Sequence, residues 1–130
     1  MTSALKNMLN LFQGMFGDHF WKNAILEATH WNFHDINVEA RAKHIPPKTE
    51  ESWQQHFNDI FKSKLGVTHK LPAVFIDSHY RRNSLKETAK FNQYTQELFD
   101  FANDKEPFEC QDIKTVKTEL IEIREKLKNM

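Results

Sequence analysis

The sequence predicts an α/β fold, with about two parallel strands flanked by helices and a C-terminal heptad helix. Three observations carry this. The run "LPAVFID" is apolar without polar alternation, the mark of a strand buried on both faces, as in a parallel sheet. Helical stripes flank it on both sides. Ile113, Val116, Leu120, Ile123 and Leu127 are spaced by three, four, three and four, an a/d seam.

In chain order, Leu5, Met8, Leu9, Phe12, Met15 and Phe16 repeat at helical spacing, with Ser3 as the expected cap and Gly14 and Gly17 marking the end region. "AILEA" reads as a strand ending near Thr29, although its few β-branched residues leave a helical reading open. Residues 30–48 read as irregular, and Pro46-Pro47 blocks helix at Ile45. Thr49 should cap a helix that carries Trp53, Phe57, Ile60, Phe61 and Leu65 on one side. Glu50 and Glu51 lie in its first turn, and Gly66 closes it. Pro72 suits the start of the "AVFI" strand. Ser84 and Glu87 have capping-box spacing, and the helix they open aligns Phe91, Tyr94, Leu98 and Phe101. The segment "NDKEPFECQD" breaks that helix before the seam.

The expected division is residues 1–111 as a partial α/β domain and 112–130 as the amphipathic heptad helix. Two strands make a poor sheet by themselves. The strand "AVFI" wants neighbours on both sides, so part of a larger fold is expected to be missing. Phe12, Phe16, Ile25, Val74 and Phe75 should then lack partners, and a protein partner or a homo-oligomer should supply them.

Composition narrows the function. Eighteen Lys and Arg balance 18 Asp and Glu, so no field favours nucleic acid or an anionic membrane, and no nucleic-acid partner is expected. No apolar run approaches the length of a membrane span, and the N-terminus does not read as a signal peptide. The single cysteine, Cys110, cannot form a disulfide within the chain and reads as a small packing residue. A cytoplasmic protein is expected.

The stretches "MFGDHFWKNAILEATHW", "TEESWQQHFNDIFKSKLG", "LPAVFIDSHY" and "ELFDFANDKEPFECQDI" resemble the C-terminal half of animal G-domain proteins related to the immunity-associated GTPases and, more distantly, to plastid protein-import GTPases. The resemblance covers most of residues 8–113 and lies in pattern and order. It implies a partial P-loop-GTPase-like domain. It also implies that Thr29 and His30 occupy the base-recognition loop, in the Thr-His variant, with His30 covering the base. Asn32 stands where that loop usually has Asp, which weakens strict guanine selection because an amide donates as well as accepts. Asp77 and Ser78 fall at the last motif, where the chain closes over the base.

The phosphate-binding half of the resemblance is missing. A P-loop needs Gly-x-x-x-x-Gly-Lys and then Ser or Thr. The three glycines here are Gly14, Gly17 and Gly66, and none has that spacing or a following Lys. The Asp-x-x-Gly motif that helps hold magnesium is absent as well. GTP, GDP and Mg²⁺ are therefore expected only if another half supplies the phosphate cradle, and no hydrolysis is expected from this chain alone.

Other chemistries weigh less. His30, His34 and Asp35 have no third strong ligand at close spacing, so unrelated surface histidines are favoured over zinc. Asp77-Ser78-His79 contains hydrolase residue types, but neighbours on a strand face opposite ways. Tyr80-Arg81-Arg82 reads as a solvated turn, and Trp21, Trp31 and Trp53 as core, with Trp31 set apart by its place in the base loop. The leading expectation is a truncated or degenerate GTPase-like protein acting through protein partners. The alternatives are a helical interaction or adaptor module with no nucleotide role, and a GTPase completed by another chain.

Overall fold

The computed structural model describes residues 1–17, 19–106 and 114–129, with the side chains of 114–120 left out. The elements are α1 (Ser3–Phe16), α2 (His19–Lys22), β1 (Leu26–Thr29), α3 (Asp35–Lys43), α4 (Glu50–Leu65), β2 (Ala73–Ile76), α5 (Leu85–Asn103) and α6 (Lys114–Lys128). The fold is mixed α/β and mostly helical, with one two-stranded parallel sheet. Two compact units make up the chain: Met1–Asn23 with Glu106–Met130, and Ala24–Lys105.

In the first unit, α1 begins one residue earlier than its sequence suggests. Thr2 is the cap, its Oγ1 accepting from Leu5 N at 3.2 Å, and Ser3 is already helical. Gly14 lies within the helix, and Gly17, at φ 71° and ψ −155°, ends it in a conformation that favours glycine. Phe12, Phe16 and Phe20 gather with centroids 5.8–6.3 Å apart, and Phe20 meets Trp21 edge-on at 4.8 Å. No residue of α1 is buried, whereas Trp21 is. α6 runs beside α1. Its Ile123 and Leu127, two of the seam positions, are exposed, and so is Ile121 off the seam. Ile113 and the side chains of Val116 and Leu120 lie outside the described residues, as does Cys110.

In the second unit the parallel pairing is as expected, in the register Leu26↔Ala73, Glu27↔Val74, Ala28↔Phe75 and Thr29↔Ile76. The ladder opens with Leu26 N donating to Pro72 O at 2.9 Å. α4 fixes the approach to β2. Asn58 Oδ1 accepts from Leu71 N at 2.7 Å, while Asn58 Nδ2 and Gln54 Nε2 donate to Leu71 O. A polar pair on a helix thus satisfies the backbone of a buried residue just before the strand.

Two expectations fail here. Val74 and Phe75 do not lack partners: they are 1% and 3% exposed. The Phe75 ring meets Trp31, Trp53 and Tyr94 edge-on at 4.9–5.6 Å, so aromatic rings from three segments cover it. Residues 30–48 are not wholly irregular, since α3 occupies Asp35–Lys43. Its apolar stripe is slight, but Asp35 in the first turn and Arg41 and Lys43 in the last complement the helix dipole. α3 ends before Ile45-Pro46-Pro47, as proline requires.

α4 matches its sequence signals. Ser52 N donates to Thr49 Oγ1 at 3.0 Å and Thr49 N to Ser52 Oγ at 2.8 Å, a reciprocal box, and Gly66 at φ 69° terminates the helix. The stripe Phe91, Tyr94, Leu98 and Phe101 lies on the half-buried side of α5, with Phe99 exposed off it. Among the described residues no helix is long and apolar enough to cross a membrane.

Candidate functional site

Because β1 and β2 are parallel and in register, both end on the same edge of the sheet. Thr29 and Ile76 are paired, so the loops beginning at His30 and Asp77 leave side by side. In open α/β sheets this carboxyl edge is where ligands sit. His30 has φ 58°, the one non-glycine residue with positive φ among those described. That turn carries its ring to His79, with centroids 6.1 Å apart and planes within 6°. Thr29, His30 and Ser78 are exposed.

The turns behind these residues are built from their own side chains. Asn32 Oδ1 accepts from His34 N at 2.6 Å, and Asp77 Oδ1 accepts from His79 N at 3.0 Å. Each is a carbonyl or carboxylate oxygen accepting from the backbone N–H two residues further along the chain. Asp77 is buried and committed to this turn, so it forms no relay with exposed Ser78. Asn32 is half-buried with its carbonyl oxygen turned to the His34 N–H, so the NH₂ of its amide is the better placed group to meet a ligand. Among the described residues no group of three His, Cys, Asp or Glu side chains is arranged to hold a metal.

A buried carboxylate holds both loops. Glu87, in the first turn of α5, is 2% exposed. Its Oε1 lies 2.7 Å from His34 Nε2 and accepts from Arg81 N at 3.3 Å, while Oε2 accepts from Arg81 Nε at 2.8 Å. Burial pushes the Glu87 carboxyl up. The hydrogen bonds from the side chain and backbone of Arg81 and from Ser84 outweigh it, and the group stays below the ordinary glutamate range. The expected capping box is thus half made. Glu87 N donates to Ser84 Oγ at 3.2 Å, but the carboxylate turns to Arg81 and His34, and the Ser84 backbone N–H donates to Arg81 O instead of to Glu87. Nor is Tyr80-Arg81-Arg82 a freely solvated turn: Arg81 is in that pair, and Arg82 lies 3.8 Å over the Tyr80 ring.

Trp31 joins the base-like loop to the core. It packs edge-on against Phe75, and the Arg41 guanidinium sits 4.6 Å above it while Arg41 Nη2 donates to Asn32 O. Burial lowers the Arg41 pKa, and Glu50 opposes that. Trp31 Nε1 is shielded from solvent and has no hydrogen-bond partner among the described residues. Two hollows meet this residue. One of about 640 Å³ reaches Pro46, Pro47, Trp53 and His56. The other, of about 190 Å³, is lined by Phe33, Arg41, Lys48, Lys86 and Lys90.

Sequence reasoning thus located Thr29, His30, Asp77 and Ser78 at one sheet edge, with Asn32 two residues beyond His30. It missed Glu87, Arg81 and His34 as a unit, and it missed Arg41. The spacing of Ser84 and Glu87 was the only signal for the carboxylate, and it pointed to the wrong partner. No family model, curated protein or solved structure matches this chain.

Proposed function

We propose that this chain is a degenerate G-domain-like protein that keeps a purine-facing sheet edge, has no phosphate-binding loop in its sequence, and acts through protein partners without hydrolysing nucleotide. The observation that carries the reading is the convergence of His30 and His79 at paired strand ends, with Asn32 and Asp77 shaping the two turns. An exposed imidazole held by a left-handed turn offers a flat face to a base. The free NH₂ of Asn32 suits a purine carbonyl and cannot accept from the exocyclic amine of guanine. Guanosine and inosine should therefore bind alike, and adenosine more weakly. Amide NMR titration with the three nucleosides tests this. Shifts confined to residues 29–32 and 77–79, lost in His30→Ala, support it. No saturable shift with any purine overturns it.

The interaction-module reading rests on a separate observation. α1 buries no residue, and Leu5, Met8 and Leu11 are exposed on it. Sedimentation equilibrium over a concentration series decides whether that surface drives self-association. Met8→Glu should return a self-associating chain to the monomer.

A further inference from the structure

The chain carries no net charge, yet one small hollow gathers four of its cations. Arg41 reaches it from the last turn of α3, Lys48 from the loop before α4, and Lys86 and Lys90 from α5. The last two are four apart on one helix, a like-charge spacing that disfavours the empty state. Glu50 is the one carboxylate in the lining, and Asp35, highly exposed, pairs with Lys86 at 2.6 Å. Two negative groups thus face four positive ones. No ion pair engages Lys48 or Lys90 among the described residues; Lys90 lies 5.3 Å over the Phe33 ring. Trp31 forms part of the wall, with the Arg41 guanidinium 4.6 Å over its ring.

From this arrangement we infer that the hollow bounded by Arg41, Lys48, Lys86 and Lys90 binds a dianionic phosphate, either free or as the terminal group of a small phosphate ester. The volume, about 190 Å³, takes one such group with its water. A doubly charged tetrahedral oxyanion accepts from a guanidinium and from ammonium groups at once, and those are the donors lining the hollow. The four cations all lie outside residues 29–32 and 77–79, although Trp31 lines the hollow and Arg41 donates to Asn32 O. The phosphate assignment stands whether or not a purine binds at the base-facing edge.

The test uses the full chain and amide NMR, titrating inorganic phosphate, glycerol 3-phosphate and, at matched ionic strength, sodium chloride. Saturable shifts around residues 41, 48, 86 and 90 are expected with phosphate or its ester and not with chloride. Response to phosphate alone assigns the free ion, and a stronger response to the ester assigns the ester. Lys48→Gln with Lys90→Gln should weaken binding by at least about tenfold, since two of the four cations are lost. Lys62→Gln with Lys64→Gln, elsewhere on α4, should leave it unchanged. The amide spectrum itself reports whether each variant is folded. Equal shifts with chloride, or undiminished phosphate binding in the folded Lys48/Lys90 variant, overturn the assignment.

Discussion

Arg81 Nε donates to Glu87 Oε2 at 2.8 Å, and the accepting carboxylate is almost wholly enclosed. Arg81 lies just after β2 and Glu87 opens α5, so this bond and the Glu87–His34 contact pin both loops of the sheet edge to one helix. Removing one partner of such a pair leaves the other charge without its counterpart.

Glu87→Gln should therefore lower the melting temperature more than neutralising exposed Asp35, whose partner Lys86 is itself half exposed. The pH dependence has a fixed sign. The folded carboxyl is held below its ordinary range, so its stabilisation is present above the unfolded pKa, about 4.3, and is lost as pH falls through the lower folded value. Melting curves of the native chain and Glu87→Gln should converge as pH drops below about 4.3. A gap independent of pH would show that the charge is not what matters.

Phe75→Ala should destabilise the second unit by about 3–5 kcal/mol, the usual range for emptying a buried aromatic site. Trp31, Trp53 and Tyr94 all lose a ring contact at once. Denaturant unfolding followed by Trp fluorescence measures it. A loss under about 1 kcal/mol would mean that the three rings close over the gap.

The ends of α4 give a paired test. Thr49→Ala removes one arm of the reciprocal cap and should cost about 1 kcal/mol. Gly66→Ala meets no atom within 4 Å, so only the left-handed backbone opposes it, at roughly 1–2 kcal/mol. The sites lie at opposite ends of the helix, so the double variant should show the sum within about 0.5 kcal/mol.

These two ends were also the most legible part of the sequence, because Thr49 and Gly66 act on their own local backbone. The strand "AVFI" was legible for a similar reason: four successive apolar residues after a proline admit few other uses. α3 was not, since Val38 is a lone partly buried apolar residue on a helix otherwise stabilised by end charges and by Arg41 meeting Trp31. The sheet-edge positions of Thr29, His30, Asp77 and Ser78 could be read from strand ends. The direction of the Glu87 carboxylate could not, because His34 arrives from another part of the sequence.

Tyr94 supplies an alkaline counterpart to Glu87. Burial, with smaller contributions from Glu50, Glu97 and Glu51, pushes its hydroxyl up to about 12. The folded state keeps this proton after the unfolded chain has lost it. Stability should fall as pH rises from about 10, the unperturbed value, toward the folded value. In Tyr94→Phe that fall should be smaller, and ultraviolet difference spectra at high pH should lack its late-titrating phenolate.

The register Leu26↔Ala73 has a consequence during synthesis. A ribosome adds roughly 5–20 residues each second, and about fifty positions separate the paired strands, so β1 emerges several seconds before β2 does. Throughout that interval Ala28 faces neither Phe75 nor the helix α5 that packs on β2. α3 and α4 can form in the meantime from local signals, but the sheet edge with its two turns is assembled last. A nascent-chain stall that leaves Leu65 but not Ala73 outside the ribosome would hold the protein with α4 able to form and β1 unpaired, the state in which a chaperone has the most exposed strand to bind.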